Sequence, residues 1–314
     1  MSDFTMVIHG GAGTILKEDM TPELEKAYVE GLQQSLTLSY SVLKEGGTAI
    51  DGVKAAIVLL EDNLLFNAGK GSVFTNQGVH EMDAAIMNGF DLTAGAVAAV
   101  TNVRNPIELA MEVMTNSDHV FLSGKGANDF AIKQGVKLEP DEYFFSQLRY
   151  NQWKALNDSD SYALDHARHL DEFRKDKKFG TVGAVACDRF GNIAAATSTG
   201  GMTNKKYGRI GDTPMIGSGT YANNATCAIS CTGHGEMFIR TVAAYDVSCL
   251  MEYKGLSLQE AMHIVVNEKL VKIAGEGGMI GVDANGNVAM IFNSAGMYRG
   301  VKNNKGLNEV SIYQ

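Results

Sequence analysis

The chain has 314 residues, 45% of them hydrophobic and 20% charged, which provides apolar material for a sizeable core and excludes intrinsic disorder as its dominant state. Its formal net charge of −9 has the wrong sign for a protein that wraps nucleic acid, so we expect no nucleic-acid partner. No apolar run reaches the length of about 18 residues that spans a membrane, and the first residues lack the pattern of a secretory signal. Both observations predict a cytoplasmic protein with no membrane partner.

The first half of the sequence alternates between strand-like and helix-like patterns. Residues 6–13 predict a short buried strand that runs into the glycine-rich sequence HGGAG, and residues 79–100 predict further strands. Apolar positions at helical spacing predict four helices, over residues 22–44, 48–62, 105–114 and 126–134.

Residues 151–180 differ in character, because 12 of these 30 positions are charged, twice the average of the chain. This composition predicts a charged, flexible linker between the two halves. His166 and His169 stand three residues apart within it, a spacing that suits a metal, but no third ligand is near and we interpret them as solvated.

The second half predicts two hairpins of one design, over residues 181–199 and 280–294, each with an Asp-x-x-Gly-Asn turn between apolar strands. We expect them at two edges of a layered sheet. Helical patterns cover residues 234–252 and 257–272. The strands are apolar almost throughout, which predicts that both faces of each sheet are covered. The favoured architecture is two packed sheets between helical layers.

Several familiar catalytic signatures are missing from the sequence. No Gly-x-Ser-x-Gly occurs, and both Gly-Lys pairs are followed by glycine instead of Ser or Thr, which excludes a serine-hydrolase elbow and a P-loop. HGGAG is compatible with an oxyanion loop or half a dinucleotide fingerprint, but a close-packed turn from strand to helix is the better interpretation. The four cysteines fit neither a zinc site nor a disulfide framework, and we expect them to be small buried residues.

Three threonine-glycine segments stand out: GTVGAVA at 180–186, TSTGG at 197–201 and TGHGE at 232–236. The first lies where the charged segment meets a buried strand. Each threonine alone is compatible with a purely structural role, packed like valine with its hydroxyl bonded to backbone. The residue types leave both interpretations open.

Seven motifs in order carry a resemblance to a known family. They are HGGAG at 9–13, FNAGKGS at 66–72, EMDAAIMNG at 81–89, GTVGAVA at 180–186, ATSTGGMTNK at 196–205, GRIGDTP at 208–214 and CTGHGE at 231–236. Across essentially its whole length the chain resembles the plant-type asparaginases, or isoaspartyl peptidases, and most of all their bacterial isoaspartyl aminopeptidase group. The resemblance implies an N-terminal-nucleophile hydrolase with a four-layer αββα sandwich.

This resemblance implies that the chain cuts itself between Gly180 and Thr181. Residues 1–180 would become an α subunit that ends in the linker 151–180, and residues 181–314 a β subunit, the two together forming one structural domain. The cut makes chemical sense because it gives Thr181 a free α-amine, whose pKa of about 7.7–8.0 makes it a usable base beside the hydroxyl. Before the cut the same nitrogen is an amide and cannot serve.

The remaining roles are carried over from the family by matching motifs. Thr199 would lie beside Thr181 and hydrogen-bond it. The hydroxyl of Thr232 and the backbone N–H of Gly233 would form the oxyanion hole. Arg209 would bind the substrate α-carboxylate with its planar fork, and Asp212 the α-ammonium.

Three further positions receive supporting roles or none. The Gly235 carbonyl would assist Asp212, and Asn67 would support the cleavage step and the pocket wall. His234 varies among related hydrolases and is given no catalytic role. A surface ion pair stays the alternative for Arg209 and Asp212.

The family resemblance also implies a structural sodium ion and no catalytic cofactor. Main-chain carbonyls would hold the ion, at Leu60, Glu61, Asn63, Phe66, Ala68 and Lys70. Carbonyl oxygens suit a hard cation, and the Glu61 carboxylate is interpreted as a solvated or capping group. A dimer of αβ heterodimers is implied as the assembly.

The leading hypothesis is a self-processing threonine hydrolase that converts β-aspartyl dipeptides and L-asparagine to aspartate through a covalent ester on Thr181. One alternative is a glycosylasparaginase-like amidase. Another is a non-catalytic relative that binds an amino acid and never cleaves, against which the three threonines together argue.

Overall fold

A computed structural model describes the chain over residues 3–157 and 180–314. Within these ranges the strands are β1 (Thr5–Gly13), β2 (Met82–Asn88), β3 (Ala94–Val100), β4 (Phe121–Ser123), β5 (Val182–Cys187), β6 (Ile193–Thr199), β7 (Thr220–Ala222), β8 (Cys227–Gly233), β9 (Gly277–Asp283), β10 (Val288–Phe292), β11 (Gly296–Asn303) and β12 (Asn308–Tyr313). The helices are α1 (Pro22–Lys44), α2 (Ala49–Glu61), α3 (Pro106–Asn116), α4 (Gly124–Gln134), α5 (Asp141–Phe144), α6 (Gln147–Asn157), α7 (Gly235–Thr241), α8 (Ala243–Lys254) and α9 (Leu258–His263).

The described strands form two sheets. One has eight strands in the order β12-β11-β1-β5-β6-β2-β3-β4, and the other has four in the order β10-β9-β8-β7. Every neighbouring pair is antiparallel except β3 and β4. Strand β5 lies in the middle of the large sheet, between β1 and β6, with Val182 opposite Ser198.

Side chains alternate between the faces of each strand and fill three apolar layers. Along β1, Met6 and Ile8 pack under helices α1–α3, whereas Val7 points into the space between the sheets and meets the layer that contains Ile280. A third cluster, which includes Ile229, lies between the small sheet and helices α8 and α9. The predicted four-layer αββα sandwich is therefore confirmed.

Helix boundaries follow local capping signals. Thr21 caps α1, where its hydroxyl accepts the Leu24 N–H at 3.3 Å, and Pro22 occupies the first turn, where it displaces no hydrogen bond. Thr48 and Asp51 form a capping box at the start of α2. These caps place both helix starts within one residue of the bounds that the apolar spacing predicted.

The two predicted hairpins share one turn geometry. In each turn the aspartate Oδ1, of Asp188 or Asp283, accepts the backbone N–H groups two and four residues later at 2.9–3.0 Å. The glycine of each turn is in the left-handed region, with φ of +79° at Gly191 and +78° at Gly286. The common sequence therefore encodes a common local structure.

Their positions in the fold differ, however. Strand β10 is an edge of the small sheet, as predicted, but β5 and β6 are central strands of the large sheet, so the prediction of a second edge is wrong. Asp188 Oδ2 also accepts the N–H of Ala49 at 3.2 Å, and Arg189 donates to the Lys44 carbonyl at 2.8 Å, which ties this turn to the start of α2 and the end of α1. A turn sequence therefore predicts a hairpin but not which strands lie beside that hairpin in the sheet.

Several other boundaries differ from prediction. The helix expected over residues 234–252 breaks at Val242, which has a left-handed φ of 49°, and the helix expected over 257–272 continues past His263 as a π-helical segment, Ile264–Leu270. Residues 151–157 belong to helix α6, so the linker prediction is wrong for them. The rest of that segment, with His166 and His169, lies outside the described residues.

The other expectations for the described residues concern cysteines and membranes. Cys187, Cys227 and Cys231 are buried, as predicted, whereas Cys249 is only half-buried. Among the described helices, none has the length and apolarity that crossing a bilayer requires.

Candidate active site

A cavity opens where β5 begins and where β6 and β8 end. It measures about 370 Å³ including its open mouth. Its lining residues are Gly180, Thr181, Thr199, Gly201, Met202, Arg209, Gly211, Asp212, Thr213 and Gly233. Hydroxyl groups and charged groups therefore share one concave site.

Thr181 and Thr199 face each other across the paired strands β5 and β6. The Thr181 hydroxyl donates to Thr199 Oγ1 at 3.3 Å, and both residues are buried. Thr199 Oγ1 also accepts the backbone N–H of Gly201 at 3.0 Å, which leaves its own hydrogen for a third group. The predicted neighbourhood of the two threonines is what the structure shows.

Asn67 holds the cavity wall from behind. Its Nδ2 donates to the Gly201 carbonyl at 2.7 Å, its Oδ1 accepts the Val73 N–H at 3.0 Å, and its own carbonyl accepts the Gly200 N–H at 3.0 Å. A Cβ at Gly200 would collide with Asn67 Oδ1, so the approach requires glycine. Asn67 supports the wall without lining it.

Thr232 lies near the end of β8, where it contacts strand β1. It is fully buried, and its Oγ1 accepts the Ala12 N–H at 3.2 Å, which leaves the hydroxyl hydrogen to be donated elsewhere. Gly233 follows with a φ of +149°, and a Cβ there would collide with the Glu276 carbonyl. Of the two residues predicted as oxyanion donors, Gly233 lines the cavity and Thr232 precedes it on β8, behind the lining.

HGGAG is part of strand β1, which continues through Gly13, so it is not a turn from strand to helix. A bulge falls between His9 and Gly11, and Gly11 has a φ of +117°. A Cβ on Gly11 would lie 3.1 Å from the backbone nitrogen of Gly180. The glycines let β1 pack against Gly180 itself.

The charged side of the cavity comes from the loop between β6 and β7. Arg209 Nε and Nη2 donate to the two carboxylate oxygens of Glu236 at 2.8 and 2.9 Å. A Cβ on Gly235 would lie 2.9 Å from both Arg209 Nη2 and Asp212 Oδ1, so a positive and a negative group converge beside this glycine. Because Asp212 is buried and both residues line the cavity, they are not the surface ion pair considered as the alternative.

Asp212 is buried, and its Oδ2 has no hydrogen-bond partner among the described residues. Burial raises the pKa of Asp212 to about 7, against the opposing effects of a backbone hydrogen bond and of the positive charge of Arg209. An unsatisfied carboxylate beside a cavity is suited to a cationic ligand.

The Glu61 side chain is fully buried, so the interpretation of its carboxylate as solvated is wrong. Its capping role is correct, because Oε1 accepts the Ile107 N–H at 3.1 Å in the first turn of α3. Oε1 also accepts the Ser198 hydroxyl at 2.6 Å. Burial raises the pKa of Glu61 to about 8, and the hydrogen bonds from Ser198 and Ile107 oppose that shift.

The main-chain carbonyls around this residue suit a small hard cation. A Cβ at Gly69 would lie 2.6 Å from the Glu61 carbonyl oxygen, and a Cβ at Gly71 would collide with that of Phe66, so the two glycines keep a cradle open. The Lys70 side chain turns away and lies 5.1 Å from the centre of the Tyr143 ring. Within residues 3–157 and 180–314, no three His, Cys, Asp or Glu side chains gather as a metal site.

A buried series of hydrogen-bonded polar side chains lies between the two sheets and was not predicted from the sequence. His9 Nε2 lies 3.0 Å from Ser230 Oγ, which lies 2.7 Å from Thr197 Oγ1, and the Thr220 hydroxyl donates to Thr197 at 2.6 Å. Burial lowers the pKa of His9 to about 3, so this histidine is neutral. Strand alternation places Thr197 on the same face as Thr199, a signal that was available in the sequence.

Asp83 and Lys205 form a second buried feature that was missed. Asp83 pairs with Thr199 across the sheet, and Lys205 donates to the Glu81 carbonyl at 2.9 Å. Burial raises the pKa of Asp83, which the charge of Lys205 opposes. Both residues belong to quoted motifs, but nothing local shows that their charges are buried.

The asparaginase family model matches residues 2–312 of the chain. The chain belongs to the asparaginase family. Similar proteins are the isoaspartyl peptidases of Salmonella typhimurium, 52% identical over 95% of each chain, and of Escherichia coli, 50% identical over 95% of this chain and 92% of that one. A probable isoaspartyl peptidase/L-asparaginase of Arabidopsis thaliana is 40% identical over the full length of both chains.

As an asparaginase-family member the chain is a hydrolase, and the recognition made from the motifs is confirmed. The structure brings Gly180, Thr181, Thr199, Arg209, Asp212 and Gly233 to one cavity. Thr232, Asn67 and Gly235 lie immediately behind its wall. The carbonyl loop from Leu60 to Lys70 does not line the cavity and is linked to it through Glu61, Ser198 and Asn67.

Proposed function

We propose that this chain cleaves its own Gly180–Thr181 bond and then hydrolyses β-aspartyl dipeptides and the side-chain amide of L-asparagine to aspartate. The observation that carries the proposal is one cavity that contains a hydroxyl pair, Thr181 and Thr199, opposite a charge pair, Arg209 and Asp212. The names of the similar proteins, isoaspartyl peptidase and L-asparaginase, support the choice of substrates.

Cleavage supplies the base that the intact chain lacks. In the intact chain the Thr181 nitrogen is an amide, and the nearby His9, which is hydrogen-bonded to the Thr181 backbone, is only a weak base because burial lowers its pKa to about 3. After cleavage the α-amine of Thr181, with a pKa of about 7.7–8.0, accepts the proton of its own hydroxyl. The β-branch of Thr181 restricts χ1 and so holds Oγ1 near one direction.

The substrate is an aspartyl unit linked through its side-chain carbonyl. Arg209 binds the α-carboxylate, and Asp212, ionised above a pH of about 7, binds the α-ammonium. Since both groups converge beside Gly235, they suit two charges that are carried on a single carbon atom. The side-chain carbonyl then extends toward Thr181.

Hydrolysis proceeds in two balanced steps. Thr181 Oγ1 attacks the side-chain carbonyl as its proton moves to the α-amine, and the resulting oxyanion accepts hydrogen bonds from the Thr232 hydroxyl and the Gly233 N–H. The α-ammonium returns the proton to the leaving amine, which departs as ammonia or as an amino acid and leaves a β-aspartyl ester. Water, deprotonated by the same amine, attacks the ester, and the α-ammonium returns that proton to Thr181 Oγ1 as aspartate leaves.

The proposal includes a structural sodium ion but routes no step through it. The close approach of Gly69 and Gly71 to the carbonyls of Glu61 and Phe66 supports this site. The expected ligands are the main-chain carbonyls of Leu60, Glu61, Asn63, Phe66, Ala68 and Lys70. When bound, the ion would fix the loop that presents Asn67. A dimer of αβ heterodimers and a cytoplasmic location stay predictions.

The test is purification of the full chain followed by a denaturing gel, mass spectrometry and assays on a β-aspartyl dipeptide, L-asparagine and a glycosylated asparagine. We expect fragments 1–180 and 181–314 and turnover of the first two substrates. Turnover of only the glycosylated substrate would support the amidase alternative. Hydrolysis by an uncleaved chain would refute the mechanism, and ligand binding without any turnover would support the binding relative.

A further inference from the structure

Glu236 has no role in the mechanism above, yet it makes the closest contacts to Arg209. Both of its carboxylate oxygens accept from the guanidinium, at 2.8 Å from Nε and 2.9 Å from Nη2. It lies in the first turn of α7, directly after Gly235. A bidentate pair at the wall of a cavity fixes the plane of the arginine as well as its charge.

The guanidinium has two edges that can bind a carboxylate with two parallel hydrogen bonds. Glu236 occupies the edge formed by Nε and Nη2. The edge formed by Nη1 and Nη2 is then left for a second carboxylate. An arginine held in this way presents a preorganised fork to a ligand, which lowers the entropic cost of binding.

Close packing restricts the arginine to this arrangement. A Cβ on Gly211 would lie 3.1 Å from Arg209 Nη1, and a Cβ on Gly235 would lie 2.9 Å from Nη2. Glycine at both positions therefore admits the flat group. Burial alone would raise the pKa of Glu236, but the hydrogen bonds and positive charge of Arg209, together with a backbone hydrogen bond and the nearby His234, hold that pKa below its usual range.

We propose that Glu236 is a positioning residue: it holds the Nε edge of Arg209 so that the opposite edge faces the cavity and receives the α-carboxylate of the substrate. This inference rests on the proposed function, because it assumes that Arg209 binds a carboxylate. Glu236 acts through Arg209 and touches no reacting atom, so its loss changes substrate binding and not the chemical step.

A plain structural role predicts something different. An acidic residue in the first turn of a helix stabilises that helix through its dipole, wherever the helix lies. Asp246 provides the matched control, since it lies in the first turn of α8 and binds Lys269 Nζ through both oxygens at 2.7 and 2.8 Å. Neither Asp246 nor Lys269 lines the cavity.

The experiment compares Glu236→Ala, Glu236→Gln and Asp246→Asn with the unaltered enzyme, all as full chains. For a β-aspartyl dipeptide we expect Glu236→Ala to raise KM about tenfold or more, as the loss of charged hydrogen bonds predicts, while kcat changes less than about threefold. Glu236→Gln, which can still accept one hydrogen bond, should give an intermediate KM. Asp246→Asn should leave KM unchanged.

Inhibition by two product-like molecules adds a readout that stability does not affect. L-Aspartate carries the α-carboxylate, and β-alanine is the same molecule without it. Glu236→Ala should weaken inhibition by L-aspartate and leave inhibition by β-alanine unchanged, and self-cleavage should go to completion in every variant.

The inference is overturned by an unchanged KM in Glu236→Ala, by an equal KM rise in Asp246→Asn, or by equal weakening of both inhibitors. If Glu236→Ala fails to fold, the KM of Glu236→Gln decides in the same way. Failure of the proposed function shows separately, as an unaltered enzyme that neither cleaves itself nor hydrolyses the dipeptide.

Discussion

The hydroxyl side of the cavity and its charged side are held in place by different forces. Thr181, Thr199 and Thr232 stand at strand ends, where sheet register and backbone N–H groups fix their positions. Arg209 and Asp212 stand on a loop, where ion pairing and close contact with glycines fix them. One side is therefore positioned by main chain and the other by side-chain charge.

This difference predicts how each side fails. The sheet carries the hydroxyl groups as rigid parts of the core, so their substitution should change chemistry and leave binding intact. The charged groups stand on a loop outside the sheet, so their substitution should change binding and leave self-cleavage intact. Four substitutions or conditions, in order of decreasing effect, test this division.

Removal of the nucleophile should have the largest effect. Thr181→Ala lacks the attacking oxygen, so we expect no cleavage into residues 1–180 and 181–314 and a fall in kcat of at least about 10⁴-fold. Mass spectrometry and a β-aspartyl dipeptide assay measure both. Thr181→Ser is the control and should retain both activities at a lower rate, because serine lacks the β-branch. Normal cleavage in Thr181→Ala would contradict the role proposed for the Thr181 hydroxyl.

Loss of an oxyanion donor should come next. Thr232→Val keeps the shape of the side chain but has no hydroxyl, so we expect kcat for the dipeptide to fall about 10²–10³-fold with little change in KM. Steady-state kinetics on material that has completed cleavage measure this. Thr232→Ser keeps the donor and should be much closer to the unaltered enzyme. A rise in KM without a fall in kcat would place Thr232 on the binding side instead.

Substitution on the charged side should change KM. Arg209→Lys keeps the positive charge but cannot offer two parallel N–H groups, so we expect KM for the dipeptide to rise about 10- to 100-fold while cleavage and kcat are retained. Kinetics and a denaturing gel of the same preparation check both quantities. An uncleaved Arg209→Lys chain of normal stability would show that the two sides are not independent.

The smallest effect should be a dependence of KM on pH. The pKa of Asp212 is raised to about 7, so the carboxylate becomes neutral as pH falls through 7 and loses its attraction for the α-ammonium. Below that pH, KM should rise by up to about tenfold per pH unit, whereas the α-amine of Thr181 affects kcat. Asp212→Asn should bind weakly at every pH, with this slope removed. A slope in kcat alone would contradict the role of Asp212.

Local signals in the sequence predicted much of the fold. Apolar residues at helical spacing predicted α1 and α2, and the aspartate-glycine turns at 188–192 and 283–287 predicted the two hairpins. The break at Val242 was not predictable, because a β-branched residue with positive φ is imposed by tertiary packing against local preference. The central position of β5 was missed for a similar reason, since it depends on strands far away in the chain.

The family motifs predicted the residues of the site and one of its contacts, between Thr181 and Thr199, but not the other contacts. The family motifs indicated Thr181, Arg209 and Asp212, whereas the pair of Arg209 with Glu236 joins positions 27 residues apart on a loop and a helix. Glu61 shows the same limit, because its carboxylate looks exposed at the end of α2 until α3 and Ser198 enclose it. Pattern and spacing indicate which residues belong to a site, but only the packed structure shows which charged side chains are buried away from solvent.

The strand order of the large sheet decides what a cut after Gly180 would do to the molecule. Across that sheet, β12 and β11 come after the cut in the sequence, and their neighbour β1 comes before it. The next two strands, β5 and β6, come after the cut, and the last three, β2, β3 and β4, come before it. The two polypeptides would therefore remain joined by backbone hydrogen bonds between several pairs of neighbouring strands. Severing the backbone there frees a terminus without freeing a subunit, and the two products should part only when the whole sandwich unfolds.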